Sequence, residues 1–131
     1  DQAIALQREA LDLHPFGHTD RFKSLGNLAI HLSTRFRHQG NGEDLDQAIA
    51  LQREALDLHP VGHTDRSSSL GNLANNLSTR FHRRGNGEDL DQAIALFREA
   101  LALCPVGHTG RSSSLGNLAN ELSIRFHQRG N

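Results

Sequence analysis

Histidines at regular intervals are the residues whose type and spacing first suggest chemistry. Imidazoles recur at His18, His63 and His108, and His14 and His59 each precede a proline. Such side chains are common zinc ligands, but equivalent ones lie 45 residues apart and would sit on successive helix layers, about 8–10 Å apart, too far to share an ion held at about 2 Å. A pair such as His59 and His63 has no evident third ligand. We therefore expect no metal and no other cofactor, with these imidazoles capping helix ends or bonding loop carbonyls.

Serines and acidic pairs are the other candidates for catalysis. The three serines at 67–69 lack the Gly-x-Ser-x-Gly elbow of a nucleophile and are typical of the first turn of a helix. Glu88 and Asp89 are interpreted as N-terminal charges favoured by the helix dipole, not as a catalytic dyad. Arg66 and Arg80 are expected to be solvated or in weak surface ion pairs. The sequence thus predicts no catalytic residue and a protein that is not an enzyme.

Three copies of one unit make up the chain. The stretch Asp-Gln-Ala-Ile-Ala-Leu begins at Asp1, Asp46 and Asp91, an interval of 45 residues. Residues 1–45 and 46–90 differ at only eight positions, which points to recent duplication or design. We interpret residues 1–131 as a single repeat domain with copies at 1–45, 46–90 and 91–131.

Each unit is predicted to contain a first amphipathic helix, which we call helix A. Its apolar residues recur at i, i+3, i+4, i+7 and i+11, and in the second copy they are Leu70, Leu73, Ala74, Leu77 and Phe81. Thr64 or Asp65 is predicted to cap its start, and Gly85 is predicted to end it in the left-handed conformation.

A second helix, helix B, follows. Asp89 is predicted to cap it, with Gln92 three residues later completing a capping box. Its apolar residues cover a wide face, as expected for a helix between two neighbours: Leu90, Ala93, Ile94, Leu96, Ala100, Leu101 and Leu103. Pro105 is predicted to end it, because proline lacks the N–H and restrains the residue before it. In the preceding copy, Pro60 to Thr64 form the connector to the next helix A.

The whole chain is therefore predicted to be all-α, with no strand. Six helices are expected near 1–14, 20–39, 45–59, 65–84, 90–104 and 110–129, in the order B, A, B, A, B, A. The chain starts with a helix B that lacks its own A and ends with a helix A that lacks its following B. We expect each end to present an uncovered apolar face.

Composition narrows the classes of partner and compartment. The formal net charge is −1, so the basic footprint of nucleic-acid or anionic-membrane binding is missing, and we expect neither partner. No run approaches the length of a membrane span, and the start does not resemble a signal peptide. The single cysteine, Cys104, cannot close an intramolecular disulfide. We expect an intracellular, cytoplasmic protein.

Leu70-Gly71-Asn72, with Asp89 to Ile94 and Ala100 to Pro105, resembles the tetratricopeptide repeat. The resemblance covers the entire chain, and a Leu-Gly pair, two small alanines and a terminal proline return in every copy present. It implies a right-handed α-solenoid of stacked antiparallel helix pairs in which small residues let the A and B backbones approach. The unit is longer than the usual 34 residues, with the extra length on helix A. This long variant is similar to the tandem repeats of large fungal multi-repeat proteins.

The resemblance also implies a concave surface lined by helix A, on the face opposite the packing stripe. In the three copies that face carries these ligand-groove candidates: Lys23, Asn27, His31, Ser68, Asn72, Asn75, Asn76, Asn117, Asn120 and Glu121. Asn27, Asn72 and Asn117 form a ladder of amides, each able to donate and accept hydrogen bonds to an extended peptide. Carboxylate-binding members of the family also use flanking basic residues, of which this face keeps only Lys23.

Two functions are compatible with these observations. The first is a non-catalytic scaffold that binds a peptide or protein partner on the concave helix-A surface. The alternative is a self-associating array, in which the last helix A of one molecule receives the first helix B of another, head to tail.

Overall fold

The computed structural model describes residues 2–13, 21–58, 66–104 and 109–129. Within these ranges the chain is all-α, with six helices and no strand, as predicted. The helices are α1 (Gln2–Leu13), α2 (Arg21–Gln39), α3 (Gly42–Leu58), α4 (Arg66–Arg84), α5 (Gly87–Leu103) and α6 (Thr109–Arg129). The A helices of the repeat are α2, α4 and α6, and the B helices are α1, α3 and α5.

Several predictions fall outside the described residues. They are the connector at Pro60 to Thr64, the cap at Thr64 or Asp65, the proline stop at Pro105, and the five histidines His14, His18, His59, His63 and His108.

The predicted apolar stripe of helix A is confirmed in the first two A helices. In α4 it is buried along its whole length, at Leu70, Leu73, Ala74, Leu77 and Phe81. In α2 the equivalent residues are also buried: Leu25, Leu28, Ala29, Leu32 and Phe36. Burial of each large side chain contributes about 1.5–3 kcal/mol, so this stripe fixes how each helix is rotated about its axis. The opposite face of the helix is thereby turned outward.

Short turns join α2 to α3 and α4 to α5. Gly40 and Gly85 have φ of 73° and 75°, the left-handed region in which glycine carries no Cβ penalty. The N–H of Gly85 donates to the carbonyl of Phe81 at 2.7 Å, and that of Gly40 donates to Phe36 at 2.7 Å. Both glycines therefore end a helix A as the sequence predicts, and only one asparagine separates each of them from the next helix.

Helices α3 and α5 begin three residues earlier than predicted. Asn86, not Asp89, is the N-cap of α5, and its side-chain oxygen accepts from the N–H of Glu88 at 3.0 Å. Asn41 accepts from the N–H of Glu43 at 2.9 Å in the same way. The predicted capping box at Asp89 is therefore wrong, because the asparagine already satisfies a free N–H at the helix start. Asp89 lies inside the first turn instead.

The resemblance implies that glycine within helix A lets two backbones approach closely. The structure contradicts this. A Cβ added at Gly26 or Gly71 would meet nothing within 4 Å among the described residues. The alanines of helix B do fit the expectation, since Ala48 and Ala93 are completely buried. Small side chains are thus needed on the B helices, whereas the glycine leaves open space beside helix A.

The chain divides into two compact units, residues Asp1–Pro60 and Val61–Asn131, which we call unit 1 and unit 2. Unit 1 contains α1, α2 and α3, and its core joins Ile4 of α1 to Leu28, Ala29 and Leu32 of α2 and Ala48 of α3. Unit 2 contains α4, α5 and α6. Its core includes a cluster in which Phe81 of α4 packs with Leu90 and Ile94 of α5, and three residues of α6 lie against this cluster: Leu118, Leu122 and Ile124.

Across the described segments, no helix combines the length and apolar character that crossing a membrane requires.

Candidate functional site

A groove of about 220 Å³ lies in unit 2, with walls from α4 and α6 and a floor from α5. Its described lining is made of small polar residues with one aromatic ring and one thiol. The lining residues are Ser67, Ser68, Gly71, Asn72, Asn75, Phe97, Cys104, Ser113, Ser114 and Asn117. The groove is smaller than the ~300–1,000 Å³ of a typical small-molecule site.

The amide wall follows from the helical repeat of α4. Ser68, Asn72 and Asn75 are spaced by four and three residues, so they lie on one face of the helix. All three are exposed, while Leu73 and Leu77 are buried on the other side. Burial of the apolar stripe therefore sets the direction in which this wall faces.

The opposite wall is shorter and comes from the first half of α6. Ser113 and Asn117 are four residues apart and exposed, and Ser114 is half-buried beside them. Asn72 and Asn117, which are equivalent positions in successive copies, thus line one groove. Two of the three predicted ladder asparagines are brought together.

The end of α5 supplies the floor. Phe97 is 2 % exposed, and Cys104 caps the helix with its N–H donating to the carbonyl of Leu101 at 3.1 Å. Arg111 of α6 holds this end in place, because its Nη1 donates to the carbonyls of Cys104 at 2.9 Å and Leu101 at 3.4 Å. A side chain of one wall therefore also positions the floor.

A buried hydrogen bond joins the two walls directly. The hydroxyl of Ser78 on α4 donates to Oε1 of Glu121 on α6 at 2.6 Å. Glu121 is buried, and its Oε2 has no hydrogen-bond partner among the described residues. Because a hydrogen bond to a charged acceptor is among the stronger ones, this contact ties the two walls together.

Paired hydrogen bonds attach α5 to α4, the A helix before it. Arg80 donates from Nε and Nη2 to the two carboxylate oxygens of Asp89, both at 2.9 Å. Asp89 is buried, so the predicted weak surface pairing of Arg80 is wrong. Arg66 does make a surface pair, with its Nε 3.3 Å from Glu99. The helical pattern alone could not reveal the first pair, because it spans the turn between two helices.

The same fork recurs 45 residues earlier in unit 1. Arg35 donates from Nε and Nη2 to Asp44, both at 2.8 Å. These hydrogen bonds hold the pKa of the Asp44 carboxyl below its ordinary value, although burial acts in the opposite direction. The conserved spacing of the two forks shows that this contact belongs to the repeat and not to one copy.

The remaining candidate residues lie elsewhere. In unit 1, Lys23 and Asn27 are exposed and His31 is half-buried. In unit 2, Asn76 is half-buried and Asn120 is exposed, and neither is among the described lining residues. Glu121 is buried against Ser78 and does not line the groove either. Of the ten candidates, Ser68, Asn72, Asn75 and Asn117 lie together in the groove.

Sequence reasoning missed the groove floor. Phe97 lies on α5, a helix B, and Cys104 caps it, whereas every predicted groove residue lies on a helix A. Both positions differ from their counterparts in the preceding copy, where Gln52 and His59 stand. That departure within an otherwise repeated helix was the signal available.

The described lining of the groove contains hydroxyl, amide and thiol groups and no carboxylate, imidazole, ammonium or guanidinium. Its hydroxyls and thiol therefore have no general base beside them in the lining. Among the residues that the structure describes, no group of three or more His, Cys, Asp or Glu side chains is placed to hold a metal ion.

Comparison with known proteins gives no match, either to a protein-family model or to a curated protein.

Proposed function

We propose that this chain is a non-catalytic interaction scaffold that binds an extended peptide segment of a protein partner along the α4–α6 groove. The observation that carries the proposal is the groove itself, in which Asn72 and Asn117 face a shared space above an apolar floor. The partner chemistry is that of a peptide backbone, which offers alternating donors and acceptors.

The walls suit such a backbone. Each asparagine amide supplies two N–H donors and an accepting oxygen, and each serine hydroxyl both donates and accepts. Asn72 and Asn75 lie one helical turn apart on the first wall, so two successive peptide groups can each meet an amide. Because these groups are neutral, they bind the backbone without requiring a charged side chain on the partner.

The floor adds an apolar contact. Phe97 lies at the bottom of the groove, and Gly71 leaves open space where any other residue would place a side chain. One apolar side chain of the bound segment can therefore descend between the walls onto the ring. Burial of apolar surface at that point contributes about 25 cal/mol per Å².

Binding fits this lining better than chemistry does. Acid–base or nucleophilic catalysis requires a group with a suitable pKa beside the reacting atom. The described lining contains serine hydroxyls and the Cys104 thiol but no carboxylate or imidazole. The groove therefore supports recognition of a ligand that leaves unchanged.

We also propose that the helices continue the tetratricopeptide-like pattern as a right-handed α-solenoid of stacked antiparallel pairs. Support comes from contacts that recur at the repeat interval, namely the forks Arg35–Asp44 and Arg80–Asp89. The surface pairs Arg21–Glu54 and Arg66–Glu99 recur in the same way. Repeated units that bury the same faces are the basis of solenoid architecture.

Selection from a library of phage-displayed random peptides, with the full chain as bait, tests the proposed groove. We expect enriched peptides to bind the chain and to lose binding to the double variant Asn72→Ala, Asn117→Ala. Gly71→Leu should also abolish binding, because it fills the groove with a side chain while leaving the buried stripe of α4 untouched.

Asn27→Ala and Asn120→Ala are the matched controls, since both remove an exposed helix-A amide outside the described groove. Binding should survive in both. Peptides that bind all groove variants as well as they bind the native chain would refute the proposed site, and failure to enrich any peptide would refute the function.

A further inference from the structure

A row of apolar residues on α6 lies exposed on the side away from the groove. Leu115 is 48 % exposed and Phe126 is 57 % exposed, and Ala119 between them is also exposed. Leu115 and Asn117 are two residues apart and therefore about 200° apart around the helix axis. The row and the groove thus belong to different faces of α6.

The same row is buried in the two other A helices. Its counterparts are Leu25, Ala29 and Phe36 in α2, and Leu70, Ala74 and Phe81 in α4. None of these six is more than 8 % exposed. An almost identical helix sequence therefore has a covered face in two copies and an uncovered one in the third.

In α2 and α4, the structure shows which helix covers the row. In unit 2, Phe81 packs with Leu90 and Ile94 of α5. In unit 1, the core cluster joins Ala29 of α2 to Ala48 of α3. Both covering helices begin with the sequence Gly-Glu-Asp-Leu-Asp-Gln-Ala-Ile. The row on α6 consequently has the shape and spacing that accept this type of helix.

An arginine beside the row completes the resemblance to the two covered faces. Arg125 is the counterpart of Arg35 and Arg80, which fork onto Asp44 and Asp89 in the first turn of the covering helix. Nε of Arg125 has no hydrogen-bond partner among the described residues, and its Nη1 lies 3.6 Å from Asp91. Nε itself is buried, so an aspartate of an incoming helix would reach this guanidinium, whose side chain is 23 % exposed, through its Nη nitrogens and not through Nε.

We propose that this face of α6 binds an amphipathic helix of the α5 type. Such a helix carries an aspartate in its first turn that meets Arg125, followed one and five residues later by a leucine and an isoleucine that cover Phe126. The charge of the aspartate sets the register, and the apolar pair supplies the buried area. This site uses other residues than the groove and does not depend on the proposed function.

A labelled peptide of residues 86–103 is the probe, titrated with the full chain and followed by fluorescence anisotropy. We expect saturable binding of one peptide per chain. Phe126→Asp should abolish binding, and Arg125→Gln should weaken it at least about tenfold, as expected for loss of a charged hydrogen-bonded pair. Circular dichroism should show unchanged helix content in both variants, because Phe126 is mostly exposed already.

Two further measurements separate recognition from general disturbance. Asn120→Asp places a new charge on α6 outside the row and should leave binding intact. On the native chain, the peptide variant Asp89→Asn should bind at least about tenfold more weakly than the native peptide. On the Arg125→Gln chain, the two peptides should bind equally. Loss that is not additive in this way identifies Arg125 and the peptide aspartate as partners.

Several outcomes overturn the proposal. One is the absence of peptide binding at a millimolar concentration of the full chain. Another is peptide binding that persists in Phe126→Asp, which would indicate that the peptide replaces α5 within the chain. Sedimentation over a range of chain concentrations tests whether a second copy of the chain covers this face instead. If the chain self-associates and Leu6→Asp on the exposed side of α1 abolishes this, α1 of a second copy covers the face and the proposal is overturned. Asn72→Ala with Asn117→Ala should leave peptide binding unchanged, so failure of this site and failure of the groove are distinguishable.

Discussion

The Ser78 hydroxyl on α4 donates a hydrogen bond to Oε1 of Glu121 on α6 at 2.6 Å. In the preceding copy the position equivalent to Glu121 is occupied by Asn76. The contact is a buried link between α4 and α6.

Removal of this hydroxyl should destabilise unit 2. In Ser78→Ala the buried carboxylate of Glu121 loses its described partner, and we expect the free energy of unfolding to fall by about 1–3 kcal/mol. Urea denaturation of the full chain measures the change. In the Glu121→Ala background the same serine substitution should cost less than half as much, and equal costs in the two backgrounds would contradict a direct coupling.

Equivalent phenylalanines should contribute very differently to stability. Phe81→Ala removes a ring that is 4 % exposed and packed on α5, so we expect a loss of about 3–5 kcal/mol. Phe126→Ala removes a ring that is 57 % exposed, and the expected loss is under about 1 kcal/mol. Chemical denaturation of the two variants measures both losses. Equal losses would mean that α6 is covered in the same manner as α4.

Acid should weaken unit 1 through Asp44. Its pKa is lowered in the folded state, so the contribution of the Arg35 fork is fully present above the unfolded-state pKa of about 3.9 and is lost as pH falls through the folded-state pKa. The stability difference between the native chain and Asp44→Asn should therefore be largest near neutral pH and shrink below about pH 4. Denaturation at a series of pH values measures it.

Arg35→Gln is the control for this pH dependence. Without the guanidinium, Asp44 loses the hydrogen bonds that lower its pKa. In the Arg35→Gln background, the stability difference between Asp44 and Asp44→Asn should then depend little on pH. A difference that stays constant from neutral to acidic pH would show that the fork does not control it.

Two glycines of unit 2 should respond oppositely to alanine. Gly85 has φ of 75°, and a Cβ there costs about 1–2 kcal/mol, so Gly85→Ala should destabilise the chain. Gly71 is helical and has open space around it, so Gly71→Ala should stabilise the chain by about 0.5–1 kcal/mol. Thermal unfolding followed by circular dichroism measures both. Destabilisation by Gly71→Ala would revive the idea of close backbone approach at that position.

The helices were predictable because their signals are local. The apolar stripe of α4 and the glycine at 85 locate that helix correctly from the sequence alone. The start of α5 was misplaced because Asp89, with Gln92 three residues later, has the spacing of a capping box, whereas Asn86 caps the helix three residues earlier. Both Asn86 and Asp89 are residue types that cap helices, so residue type alone does not decide between them.

The groove was predictable only where it depends on the face of one helix. Asn72 and Asn75 follow from the rotation of α4, which its own stripe determines. The position of Phe97 in the floor depends on how α5 lies against α4 and α6, which no single-helix pattern contains. Glu121 was misplaced for the same reason, since its burial depends on Ser78 of another helix.

Near-identical copies in one chain create a choice of partner during folding. Helices α3 and α5 share the stretch Asp-Gln-Ala-Ile-Ala-Leu, so each of them presents surfaces that suit either α2 or α4. The turn at Gly85 and Asn86 keeps α5 at a high local concentration near α4, because a two-residue link leaves little entropy to lose on closure. Lengthening that link would let the copies exchange helices, so the glycine–asparagine turn selects the correct pairing as well as reversing the chain.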